Sequence, residues 1–128
     1  MPPRAGGPPA VFATFRSRTN FASISDGLSN TFFIGEKHVR QVASGQAESD
    51  SAIYNGDRTN VNLRFAGPSF PLARSPQESF RQQFGSYHPG VCQFVMGDGS
   101  VRALPVSVSG TILALLAQRA DGQSIPDF

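Results

Sequence analysis

The stretch SYHPGVCQFVMGDGSVRALPV, residues 86–106, decides how this chain folds. Two β-rich runs, GVCQFVM and SVRALPV, flank Gly97-Asp98-Gly99-Ser100. Asp-Gly between such runs predicts a two-residue hairpin turn in which Asp98 and Gly99 both take positive φ. Pairing about that turn sets Met96 opposite Val101 and Phe94 opposite Ala103, with Cys92 on the same apolar face. The opposite face, with Gln93, Val95 and Arg102, is mixed and expected to be partly wet.

Downstream, Ser109 is placed to cap a helix. Ile112, Leu113, Leu115, Leu116 and Ala120 give it a 3.6-period apolar stripe, and Gly122 marks its exit. Arg119 in the final turn complements the helix dipole. The stripe should lie across the apolar face of the hairpin.

His88 and Asp98 are the sharpest pair of chemical residues in the chain. Are they one site? A strand over 91–97 spans about 20 Å at about 3.3 Å per residue, with His88 before it and Asp98 at its far end. Metal ligands must each lie about 2.0–2.5 Å from one ion, so the two cannot share one. Nor can they hydrogen-bond as base and orienter.

Each end therefore has its own reading. Asp98 is a turn residue, with a hard cation such as Ca²⁺ as the functional alternative. His88, held extended before Pro89-Gly90, is expected to be a structural latch donating to a buried carbonyl or carboxylate. Glu36 and Asp26 are its candidate partners, and a metal or acid–base role with Glu36 is the alternative. His38, beside Lys37 and Arg40, reads as surface.

The rest of the chain bounds the answer. Its 128 residues suit one modest core. With 16% charged residues, 13 Gly, 10 Pro and 11 Phe, it reads as a turn-rich, strand-rich globular protein. The net charge is +2 and the arginines are scattered, which gives no stripe for nucleic acid. The lone Cys92 excludes an internal disulfide and lies in an apolar run, as a buried inert thiol does. No run approaches the roughly 20 apolar residues of a membrane span, and MPPRAGGPPA is not a signal peptide. No P-loop, H-E-x-x-H, C-x-x-C or nucleophile elbow is present, and Ser29 reads as a turn serine.

Residues 1–10 form an extended Pro/Gly-rich arm and 11–128 a single domain. VFATFRS (11–17) predicts a short strand and SISDGLSNT (23–31) is turn chemistry. TFFIGEKHV (31–39) is β-rich, with Phe32, Ile34, Glu36 and His38 sharing a face. A polar loop covers 43–51. Residues 52–67 give one or two strands about a turn at Asn55-Gly56 or Asp57-Arg58, and 68–77 is broken by Pro68, Pro71 and Pro76.

Three blocks in order, FASISDGLSNTFFIGEK, FGSYHPGVCQFVMGDGSVRAL and LLAQRADGQSIPDF, carry a resemblance. They resemble a large bacterial family of pilin-like proteins, similar to type II secretion pseudopilins. The C-terminal region of that family carries a histidine, nine residues and Asp-Gly. His88, residues 89–97 and Asp98-Gly99 match that spacing. Asp26-Gly27, Ser29-Asn30-Thr31 and Gly35-Glu36 match the family's D-G-x-S-N-T and G-E. The last block is similar to its T-R-A-G-G-E ending, with Asp121 where glycine is common.

The resemblance implies an α+β fold, mainly antiparallel β: a pilin-like globular head with a C-terminal hairpin and one short C-terminal helix. It also implies an envelope or extracellular location and no established enzymatic activity; no cofactor is expected apart from the Ca²⁺ alternative. Such proteins begin with a prepilin leader and a long hydrophobic helix. MPPRAGGPPA stands there instead, so the spine helix is expected to be absent, in a fragment of a longer gene product or in a head that works alone.

The function expected is that of a structural module packing with its own copies, as oligomer or filament, or with secretion-system components. The arm could then lend VFATF to a neighbour as an edge strand. The alternative is a secreted domain whose loops at 43–60 and 68–82 hold a ligand or Ca²⁺.

Overall fold

The computed structural model of the chain describes residues 18–41, 63–79 and 82–126. The expected strand at 11–17, the loop at 43–51 and the turn near 55–58 lie outside the described residues. Three strands form one antiparallel sheet in the order β1-β2-β3: β1 Phe32–Gly35, β2 Val91–Met96 and β3 Val101–Pro105. One helix follows, α1 Gly110–Ala117, and two 3-10 turns, Phe21–Ser23 and Leu28–Asn30, precede β1. The fold is α+β and mainly β, as the composition and the hairpin pattern indicate.

The hairpin forms where expected, but its register differs by one residue. Val95 faces Val101, Phe94 faces Arg102 and Cys92 faces Leu104. The cause lies in the turn. Met96 N–H donates to Ser100 O (2.8 Å), and Gly99 N–H donates back to Met96 O (3.0 Å). Gly97-Asp98-Gly99 is therefore a three-residue loop, in which only Gly99 takes positive φ (84°). That geometry is a turn followed by a glycine bulge, the next most common hairpin after the two-residue form. Because side chains alternate, a one-residue shift exchanges the faces of β3. Leu104 is buried, while Val101 and Ala103, expected inside, are exposed.

On β2 the expected face holds. Cys92, Phe94 and Met96 are buried, and with Leu72, Leu104, Leu113 and Leu116 they form the core. Ser109 caps α1 by accepting the N–H of Ile112 (3.2 Å), and Leu113 and Leu116 turn inward. Burying each such side chain contributes roughly 1.5–3 kcal/mol. The helix is shorter than its apolar period suggests: it ends at Ala117, with Gln118 as C-cap. Ala120, Arg119 and Gly122 thus lie beyond it. Arg119 does not complement the helix dipole; it reaches across to Ser23 Oγ (3.0 Å).

β1 also departs from simple alternation. Phe32 faces Met96, but Ile34 faces Val95 and Gly35 faces Phe94, so Phe33 is an extra residue that shifts the register. Phe32 turns inward to stack on Phe94 at 4.1 Å, whereas Ile34 is 67% exposed. The single face expected for Phe32, Ile34, Glu36 and His38 is thereby broken. At Gly35 the backbone passes close to the core: a Cβ there would stand 2.6 Å from the Phe94 ring.

Candidate functional site

The residues carrying the resemblance lie at two ends of β2, joined by hydrogen bonds to backbone. At the hairpin end, Gly97 N–H donates to Thr31 O (2.9 Å) and Asp98 N–H to Leu28 O (3.2 Å). The segment Asp26–Thr31 thus holds the hairpin turn by its carbonyls. Gly27 makes this possible: at φ 93°, ψ 135° it occupies a region open essentially to glycine alone. Its carbonyl accepts both Asn30 N–H (3.0 Å) and Thr31 Oγ1–H (3.1 Å), and Asn30 Nδ2 donates to Asp26 O (3.3 Å). Ser29 sits half-buried in this same 3-10 turn.

Asp26 itself faces the chain's last third. Its two carboxylate oxygens accept Asp121 N–H (2.8 Å) and Gly122 N–H (3.0 Å). Those two amides hold the Asp26 carboxyl below its ordinary value of 3.8. Asp26 was one expected partner of His88; it serves the C-terminal segment instead. The side chain of Asp98 folds back on its own turn, with Oδ1 accepting the Ser100 hydroxyl (2.6 Å) and N–H (2.9 Å). The Ser100 hydroxyl, then its amide, lowers the Asp98 pKa.

At the far end of β2, Glu36 meets His88. Its Oε2 accepts Gln93 N–H (2.6 Å), and its Oε1 stands 3.3 Å from His88 Nε2. The partner expected for His88 is therefore in place, but the pair faces water, with the His88 side chain 54% exposed. Pro89 and Gly90 (φ 72°) bend the chain into β2, and Ser86 Oγ both accepts His88 N–H (3.0 Å) and donates to Val91 O (2.6 Å). Cys92 lies beneath, its thiol pushed up to about 12 by burial and then by the charge of Glu36. A thiol so placed is not a nucleophile at neutral pH.

Glu36, His88 and Asp98 do not converge: the first two meet, and Asp98 stands a strand away. Among the described residues, no group of three or more His, Cys, Asp or Glu side chains could hold a metal ion. No described helix is long and apolar enough to cross a membrane. The expected loop at 43–60 falls outside the described residues.

His38 reverses its expectation. Read as surface, it is 1% exposed, and its Nε2 lies 2.8 Å from Glu78 O. A carbonyl only accepts, so Nε2 carries the hydrogen. The side chain is covered by Gly85, whose added Cβ would meet His38 Cβ at 3.1 Å and Ala73 Cβ at 2.7 Å. Gln83 is also buried, donating to Ser79 O (3.1 Å). Neither was legible, because their partners, Glu78 and Ser79, lie in a segment without periodicity.

A family model, SBP_bac_10, described as "Protein of unknown function (DUF1559)", matches residues 4–110. The chain belongs to this family. No curated protein and no solved structure matches it. In this DUF1559 chain the matched span includes Asp26–Thr31, Gly35-Glu36 and His88–Gly99. It stops at the first residue of α1, so the third block, which supplies the amides that grip Asp26, lies beyond it.

Proposed function

We propose that this DUF1559 chain is a non-enzymatic structural module, a pseudopilin-like head that packs with copies of itself or with secretion components at or outside the cell envelope. The observation that carries this reading is the outer face of the sheet. Ile34, Val95 and Val101 form one row across all three strands, with Ile34 67% and Val101 62% exposed. Ala103 and Pro105 extend that exposed apolar surface along β3. An apolar patch facing water favours association. Because the row itself is uncharged, a two-fold related copy can cover it without burying an ion.

The test is sedimentation velocity over a range of concentrations, with wild type beside Ile34→Asp and Val101→Asp. The expected result is size that rises with concentration in wild type and stays monomeric in both variants. A wild-type chain that is monomeric throughout removes the reading.

A further inference from the structure

The free edge of β3 has a specific hydrogen-bonding pattern. Met96 N–H donates to Ser100 O and Val106 N–H to Gly90 O, at the two ends of the ladder. Residues 100, 102, 104 and 106 therefore turn their backbone groups toward β2. Val101, Ala103 and Pro105 turn theirs outward. Proline has no N–H, so the edge presents the N–H and C=O of Val101 and Ala103 and the C=O of Pro105. None of these groups has a partner among the described residues. Beside them lies a cleft of about 640 Å³, walled by Arg102–Pro105, residues 123–126, Asp26 and Asn30. Its volume falls in the range of ligand sites, and its backbone wall matches another backbone better than any small molecule.

Building on the assembly reading, we propose that this edge and cleft receive residues 11–15 (VFATF) of a second copy as an added strand. Three observations select that occupant. The edge from Val101 to Pro105 is five residues long, and VFATF, the apolar part of the strand expected at 11–17, is long enough to cover it. Charge is compatible: residues 1–17 carry Arg4 and Arg16 and no acid, while the cleft wall holds one cation, Arg102, and ionised Asp26, whose carboxylate Asp121 adjoins through its amide. Residues 42–62, with Glu48, Asp50 and Asp57 against Arg58, have the opposite balance. Finally, Asn20–Ser23, just after the segment, is tied to Arg119, two residues from the Asp121 amide that binds Asp26. The segment thus joins the described chain near the cleft, and a two-fold axis there makes the exchange reciprocal.

The experiment uses the full chain and follows amide hydrogen exchange and sedimentation together against concentration. The Ala103 amide is expected to be protected in the oligomer and to exchange freely on dilution. Ala103→Pro removes an outward N–H and no ladder bond, so it should weaken association at least about tenfold with the Leu104 amide still protected. Phe15→Asp, outside the described fold, should weaken association likewise and decides the matter if Ala103→Pro unfolds. An oligomer indifferent to both changes overturns the edge proposal and leaves assembly through the outer face standing. Protection of Ala103 in a monomer overturns exchange between copies. A monomer with a freely exchanging Ala103 overturns both readings.

Discussion

The inner and outer faces of the sheet are built from the same three strands, and their chemistry is more alike than their surroundings. Inward point Phe32, Cys92, Phe94, Met96 and Leu104; outward point Ile34, Val91, Val95, Val101 and Ala103. The inner set is closed by Leu113 and Leu116 of α1, which the Ser109 cap and the tight turn after β3 fold back over the strands. No described element crosses the outer set. Burial here follows from where α1 docks, since hydrophobicity per residue barely distinguishes the two sides.

The strongest way to test that contrast is to cut into each face. Phe94→Ala removes the ring that stacks on Phe32 at 4.1 Å and meets Phe84 edge-on at 5.1 Å. A loss of about 3–5 kcal/mol is expected, read from denaturant unfolding. The closest outer counterpart, Val101→Thr, should stay within about 0.5 kcal/mol, because that side chain is already in water. Equal losses at the two positions would mean that the outer face is covered even in the monomer.

The two histidines sharpen the same contrast at a smaller scale. His38→Ala leaves Glu78 O without its donor in a buried setting and should cost about 1–3 kcal/mol. The half-buried turn that closes residues 73–79 over it should loosen in hydrogen exchange.

An acid titration comes next. Asp26 is held low by the amides of Asp121 and Gly122, so its contribution is fully present above the ordinary carboxylate value and is lost as pH falls through the native one. Asp26→Asn cannot accept at both oxygens. The gap in melting temperature between wild type and variant should therefore be constant near neutral pH and close progressively below about pH 4. A gap that persists unchanged toward about pH 2 would show that the carboxylate charge plays no part.

Of the changes at polar residues, His88→Ala has the smallest expected effect. Its contact with Glu36 is solvent-exposed, and Glu36 keeps its bond to Gln93 N–H. A change under about 1 kcal/mol is expected. A loss as large as that of His38→Ala would make the exposed pair a true latch and erase the distinction between the two sites.

Much of the local architecture could be read directly from residue order. The hairpin, the buried run Cys92-Phe94-Met96, the Ser109 cap and the irregular course of residues 68–77 are all short-range consequences of turn residues, alternation and proline. The separation of His88 from Asp98 was equally legible, because a strand has a fixed rise. Glu36 was one of two candidate partners of His88, and neither the choice between it and Asp26 nor the exposure of the pair could be read. The second site was opaque: that Asp26 grips the amides of Asp121 and Gly122 depends on a contact between residues 95 and 96 positions apart. No local pattern encodes such a contact.

What residue order determined, then, is which segments become strands, turns and helix, since those depend on φ/ψ preferences and periodicity within a few residues. What the tertiary structure decided is which side of each element meets the core. A glycine bulge at Gly99 and an extra residue at Phe33 each moved one strand by a single position, placing Leu104 inside and Ile34 outside. His38 lies inward, bonded to Glu78 O and so close to Gly85 that a Cβ there would stand 3.1 Å from its own. The physical reason is common to the two strands. Side chains alternate every residue, so one added residue in a turn or a strand reverses which side of the sheet each later residue meets, and alternation alone does not show where that residue falls.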